Sequence, residues 1–489
     1  MKAYLMYKDK NLVINLDKAF NQEVTIRDME IQEIIQIMSS RDELIRNVCN
    51  YAFLNPLTDM ESILYRQGIM QDVLDRQDVV LGLYKSVTEM QSEIKKHYFG
   101  MNSQNLRNVY TSSIEHVSSY ILGLKELRKI SDESKGLFKS EGFVNFFNEI
   151  QKELDDKYLR ELDLFVQELK STDVYRISVD FGSHLEGVNY TLRRQKKQSF
   201  SLKGFLRSQS IKLKEDDEAG RKDFDYRKDL AINEASNALA RSVDHLDRFF
   251  TSLQSELAFY VGALNLVTYL TKIGMPVCIP HPMEKEEFNR SYKDLYDVAL
   301  AIRKRGKVDG NELAANDVRL YLISGANQGG KTTFLRSLGQ AQIMGQLGLI
   351  VGASEFNFPI RNHIYTHFKK EEDKNIKSGK LDEELLRMSQ LIDHMDKYSL
   401  VLFNESFSST NEREGSRINK DICDALITHD TEVFSVTHLY TFSSSYLEND
   451  KVMFLLAERK EDGSRTHHLV KGVPEKTAYG IDLYKAVFN

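Results

Sequence analysis

The residues with the clearest chemical meaning are Gly325-Ala326-Asn327-Gln328-Gly329-Gly330-Lys331-Thr332, which fit the spacing G-x-x-x-x-G-K-[ST]. An apolar stretch, LYLISGA at 320–326, leads into them and a helix-forming segment follows, which is the setting that this spacing requires. Glycines there let backbone N–H groups close around phosphate oxygens, and the helix start adds the positive end of its dipole. Lys331 is placed to reach the β and γ phosphates, Thr332 to ligate Mg²⁺, and Thr333 follows in the same helical turn. A tight turn with a surface lysine would not explain why glycines, lysine and hydroxyl coincide. The chemistry implied is the binding of nucleotide phosphates together with Mg²⁺.

A second element is expected at the end of another buried strand, and Ser399-Leu400-Val401-Leu402-Phe403-Asn404-Glu405 supplies one. In P-loop sites the first polar position helps to hold the metal and a following acid orients the attacking water. Asn404 stands where an aspartate is usual; its amide brings no negative charge, so weaker Mg²⁺ binding and slower turnover are expected. Glu405 is left to act as the base. Without the glycine-rich loop, an ordinary strand-end turn would account for the pair equally well. Ser435-Val436-Thr437-His438 ends a third strand, where His438 is placed to sense the γ phosphate or to position water. His467 and His468 are adjacent on a strand, point to opposite faces and cannot share one ion. Glu371, Glu372 and Asp373 lie in a lysine-rich polar run that reads as a solvated loop.

Such residues need strands and helices in alternation, and the C-terminal part has that order. Apolar strands at 320–326, 398–404 and 431–438 are separated by helices expected from 331 and from about 412, and a hairpin turning at Asp462 and Gly463 closes the chain. Proline partitions the rest: the six prolines leave residues 57–275 without one. Apolar residues at helical spacing over 142–171 and 227–272 predict long helices, the second a lever or arm with Gly262 as a weak interruption. Between them, residues 173–193 read as two short strands. A basic stretch at 192–214 contains Arg193, Arg194, Lys196, Lys197, Lys203 and Arg207 and no acid. The cluster PVCIPHP at 276–282 marks a boundary.

With 489 residues, 41% hydrophobic and 28% charged, the composition is that of a globular protein of two to four units at roughly 100–200 residues each. A net charge of −6 excludes a general polyanion binder, so any nucleic-acid contact must be a local patch. Three distant cysteines make neither a disulfide framework nor a metal knuckle, and no run of 18 apolar residues suggests a membrane span; a cytoplasmic protein is expected.

These segments resemble the MutS family of mismatch-repair ATPases. GANQGGKTTFLRSLGQAQIMGQLG is similar to that family's P-loop and following helix, FSVTHLY to its histidine switch, and Thr477-Ala478-Tyr479-Gly480-Ile481 to its closing element. SGKLDEELLRMSQLIDHMDKYSLVLFNESFSSTNEREGSRI resembles the stretch from its Ser-Gly loop to its second nucleotide motif, and PLTDMESILYRQGIMQDVL, with Arg66 and Gln67, the start of its core helical domain. The resemblance implies a multidomain α and α/β chain: an N-terminal segment (1–50), a helical core and lever domain (51–280) with a β-rich clamp tip near 173–220, and an ABC-type P-loop ATPase domain (281–489). It further implies hydrolysis of ATP with Mg²⁺, a homodimer with nucleotide at its interface, and arms that embrace duplex or branched DNA in repair or recombination. Residues from Gly325 to Thr333 would hold nucleotide, Thr332 and Asn404 the metal, Glu405 and His438 the reacting groups, and the basic stretch the phosphates of DNA. About 50 residues precede the core, without a Phe-x-Glu segment, and the chain ends soon after Gly480, so neither mismatch recognition nor a nuclease domain is expected. Asn411 stands where the family commonly has a serine approaching the opposite subunit's nucleotide. An ATPase of the same fold acting on RNA or the ribosome, or an ATP-dependent protein scaffold, are the alternatives.

Overall fold

The computed structural model describes residues 1–15, 20–97, 106–170, 176–183, 187–193, 217–369, 379–460 and 465–475. The chain forms two compact units, one of residues 1–3, 78–137 and 144–254, the other of residues 4–77, 138–143 and 255–489. No helix among the described residues is long and apolar enough to cross a membrane.

Helices make up most of the first unit. Gln77–His97, Leu106–Glu133, Glu141–Glu153 and Asp156–Lys170 are joined by the greater part of Glu218–Lys272. That last helix has 55 residues, about 82 Å at 1.5 Å per residue. It starts nine residues before the apolar periodicity does, because its first turns are exposed and need no apolar face; Asp217 accepts the Gly220 N–H at 2.8 Å there. Conversely, the stretch expected as one helix over 142–171 is two. The Asp155 carboxylate accepts the N–H of Tyr158 at 2.7 Å and starts the second helix, while Leu154 stays buried at the break. Tyr120, stacked on Phe250, donates to Asp247 of the long helix at 2.6 Å. β1 (Arg176–Phe181) and β2 (Gly187–Arg193) pair antiparallel, and Arg227 of the long helix donates to the Tyr190 hydroxyl at 2.9 Å.

The second unit holds a four-stranded and a six-stranded sheet. β3 (His281–Met283), β4 (Arg290–Leu295), β5 (Asn311–Ala315) and β7 (Glu355–Pro359) form the smaller in the order β3-β7-β4-β5. Its strands are short and carry charges, so no apolar run marks them. The larger has the order β12-β11-β6-β10-β9-β8, from β6 (Leu320–Gly325), β8 (Ile364–Phe368), β9 (Leu400–Asn404), β10 (Glu432–Val436), β11 (Val452–Arg459) and β12 (Arg465–Lys471). All are parallel except the edge strand β12, which pairs antiparallel with β11. Helices 380–393 and 412–428 cover the face that buries Leu322, Val401, Phe403 and Val433. Opposite, Phe334 of helix Lys331–Gln346 meets Phe434, itself stacked on Tyr321.

Residues 4–77 are built into this unit. The Glu256 carboxylate accepts the backbone N–H groups of Leu5, Met6 and Leu12. Buried Arg66 donates to the carbonyls of Met6 and Leu347, and Gln67 to that of Pro280. Gly262 does not interrupt the long helix; a Cβ there would come within 3.0 Å of Ile45 and 3.1 Å of the Cys49 sulfur, so glycine permits the close approach of helix Glu43–Leu54.

At the start of β10 the fully buried Glu432 carboxylate binds Arg290 of β4 at 2.8 Å and Arg361 at 2.9 Å, and Arg290 also donates to Gln342. Burial pushes the Glu432 carboxyl up, and the two guanidinium groups overcome this and hold it below its ordinary 4.5. Glu432→Ala leaves two buried cations without a counter-charge and is expected to cost about 3–5 kcal/mol, read as a lower urea midpoint. A carboxyl with a depressed folded pKa stabilises above its unfolded value and loses that contribution as pH falls. The wild-type midpoint should therefore drop below about pH 4.5, and the Ala variant should lack this part of the drop.

Candidate functional site

β6, β10 and β9 are parallel neighbours, so their carboxyl ends open on one edge of the sheet. After β6 comes the glycine-rich loop. Gly330, left-handed at φ 92°, starts helix Lys331–Gln346, and a Cβ on it would lie 3.2 Å from the His467 carbonyl oxygen. The Lys331 side chain folds back inside the loop, its ammonium donating to the carbonyls of Gly325 and Ala326 at 3.0 and 2.9 Å. Burial lowers the pKa of Lys331, Glu405 acts against this, and the Arg465 charge adds to the lowering. Arg465 itself donates to Gln328 at 3.0 Å.

The Thr332 hydroxyl donates to Asn404 Oδ1 at 3.0 Å, so the two groups expected at a metal are brought together. Hydroxyl and amide oxygens suit a hard cation such as Mg²⁺, and Glu405 is the next residue's carboxylate. Glu405 lies 3.3 Å from His438 Nε2 and its own N–H donates to Val436. The hydrogen bond from His438 holds the Glu405 carboxyl below its ordinary 4.5 against partial burial, helped by Lys369 and Lys331. It is thus ionised at neutral pH.

A cavity of about 330 Å³ opens here, a size fit for a ligand of nucleotide dimensions. The loop from Asn327 to Thr333 and Glu405 line it, whereas Asn404 and His438 act on it through Thr332 and Glu405. Its remaining wall comes from the connection between β4 and β5, with Tyr296, Asp297, Leu300, Val308 and Asn311, and from His467. Sequence reasoning missed these residues. The helix Val298–Lys304, capped by Asp297 through the Leu300 N–H at 3.0 Å, has seven residues, too few for periodicity to signal. An Asp before an apolar run was the available cue, but it signals a helix start and not a ligand.

Asn411 caps helix Glu412–Thr428, accepting the Glu414 N–H at 3.0 Å. Arg193 is the last residue of β2, while Arg194, Lys196, Lys197, Lys203 and Arg207 lie outside the described residues, as do Glu371, Glu372, Asp373, the hairpin turn at Asp462 and Gly463, and Thr477 to Ile481.

Family profiles match two stretches of the chain: the MutS2 N-terminal domain over residues 58–273 and MutS domain V over residues 321–488. Curated relatives include "MutS protein homolog him-14" of Caenorhabditis elegans, 27% identical over 169 residues, which are 34% of this chain and 20% of that one. "Endonuclease MutS2" of Thermus thermophilus is 26% identical over 278 residues (55% and 33%). "MutS protein homolog 4" of Mus musculus is 26% identical over 279 residues (53% and 29%). The chain spans between a fifth and a third of the length of these relatives.

Lys331→Ala is expected to weaken nucleotide binding at least tenfold, since a hydrogen bond to a charged group contributes about 1.5–3 kcal/mol; equal affinity would mean that the lysine stays on its carbonyls. Asn404→Asp restores a charge beside Thr332 and should raise the Mg²⁺ affinity of the nucleotide complex roughly tenfold, checked by Mg²⁺ titration.

Proposed function

Because the chain belongs to the MutS family of ATPases, we propose that it is an ATP-dependent DNA-binding clamp acting on duplex or branched DNA in repair or recombination. The observation that carries this reading is the meeting of Lys331, the Thr332–Asn404 contact and the Glu405–His438 pair on one edge of the parallel sheet. In the proposed reaction the loop amides and the Lys331 ammonium hold the β and γ phosphates, the ammonium exchanging its two carbonyl partners for phosphate oxygens. Thr332 and Asn404 hold Mg²⁺, which when bound neutralises charge on the phosphates. Glu405, kept ionised, takes the proton of the water that attacks the γ phosphorus, while His438 directs its carboxylate. The bond from phosphorus to the bridging oxygen breaks, and ADP and phosphate leave. The neutral Asn404 makes this turnover slower than an aspartate would.

Two copies of the chain would place nucleotide at their interface, and the basic stretch from Arg193 to Arg207 would meet DNA phosphates without reading sequence. Steady-state ATP hydrolysis with linear duplex, mismatched duplex, four-way junction and double-stranded RNA, with Glu405→Gln as the blank, tests the reading. Stimulation by DNA that the variant lacks is the expected result; indifference to every nucleic acid would instead point to a protein partner. Neutralising Arg193, Arg194, Lys196 and Lys197 together should weaken DNA binding and reduce the salt slope by up to roughly 0.9 for each phosphate that is no longer neutralised. Unchanged binding would remove this stretch from the interface.

A further inference from the structure

Glu405 opens a turn in which two non-glycine residues have left-handed backbone, Glu405 at φ 54° and Phe407 at φ 55°, with Ser406 between them. L-residues avoid this region, and bulky ones most, so a neighbour must hold the turn. That neighbour is His367 on β8, the strand beside β9. Its ring is buried and stacks on that of Phe407, with centroids 5.1 Å apart and planes 22° from parallel. The Ser406 hydroxyl oxygen lies 2.7 Å from the His367 Nδ1 and 2.7 Å from the His367 carbonyl oxygen. Nε2 of the same ring lies 3.1 Å from the Glu384 carbonyl oxygen, and Asn419 donates to the Ser406 carbonyl at 3.1 Å.

The protons can be counted. A carbonyl only accepts, so Nε2 carries a hydrogen. Ser406 has one hydroxyl hydrogen and two acceptors waiting for it, the His367 carbonyl and an unprotonated Nδ1. The serine oxygen is thereby tied at once to the ring and to the backbone of the same residue. Among the described residues, four charged groups surround this network. Glu384, from helix Lys380–Asp393, accepts from Ser409 through Oε1, and its Oε2 has no hydrogen-bond partner among the described residues. Glu405 directly precedes Ser406. Lys369, just past β8, donates to Ser408, and Arg387 donates to the Phe368 carbonyl.

We propose that His367 is a positioning residue for Glu405: its ring, stacked on Phe407 and hydrogen-bonded to Ser406, locks the strained turn that aims the carboxylate at His438 and the phosphate cavity. This rests on the ATPase reading above. His367→Phe keeps the ring and its stack on Phe407 but removes the ring's hydrogen bonds to Ser406 and to the Glu384 carbonyl; His367→Asn sets an amide where Nδ1 stands and can keep the hydrogen bond to Ser406. The Phe variant should hydrolyse ATP at least tenfold more slowly with nucleotide affinity within about twofold of wild type, and the Asn variant should regain most of the turnover. A Phe variant with wild-type turnover, equal losses of turnover and affinity, or an Asn variant no faster than the Phe variant would each overturn the proposal. A wild-type protein that binds ATP without hydrolysing it would overturn the ATPase reading and this proposal with it.

Discussion

The buried meeting of Arg290, Arg361 and Glu432 is the constraint on which the second unit turns. Each charge would be costly alone in the interior, and only an arrangement that joins all three compensates them. Arg290 belongs to the smaller sheet, Arg361 to the chain between the sheets, and Glu432 to the first position of the central strand β10. Gln342, from the helix that follows the glycine-rich loop, closes the group. A slip of either sheet by one residue would strand a charge, so the triad penalises every register but one. Six residues beyond Glu432 the same strand direction delivers His438 to Glu405. The smaller sheet, held by Arg290, delivers the wall of the cavity that holds Tyr296 and Asn311.

A similar logic ties down the start of the chain. Residues 4–12 form no strand or helix, and their backbone N–H groups need partners wherever they are covered. Glu256 provides a carboxylate for three of them, and Arg66 and the Tyr65 and Tyr260 hydroxyls take carbonyls of the same segment. Because Arg66 also takes the Leu347 carbonyl at the end of the helix that begins with Lys331, one side chain connects the N-terminal segment to the helix that follows the glycine-rich loop.

At the site, the groups differ in how they are held. Thr332 and Asn404 are ends of regular elements and need no strain to meet. Glu405 projects from left-handed backbone, which costs about 1–3 kcal/mol per residue and persists only where surroundings over-determine it. The surroundings are specific: an imidazole from the next strand, an amide from Asn419 and a ring stack on Phe407. Glu405, the base of the proposed reaction, is thus the residue whose support is most elaborate.

Much of this was legible in the order of residues. The glycine-rich loop, the strands that lead to Asn404 and His438, the antiparallel pair of β11 and β12, the β pair at 176–193 and the long helix all announce themselves through local pattern: glycine spacing, apolar runs of strand length, helical periodicity. Such signals depend on neighbours in the chain, so one sequence suffices to read them. What had no local signature were contacts between distant segments. The smaller sheet was hidden because its strands are short and charged, and the break at Leu154 because the apolar spacing runs on across it. Nothing in the pattern of residues 290, 361 and 432 links them, and nothing near His367 says that its ring braces Glu405. Those pairings exist only once the strand order β6-β10-β9-β8 is set, because burial and hydrogen-bond geometry act through space and not along the chain.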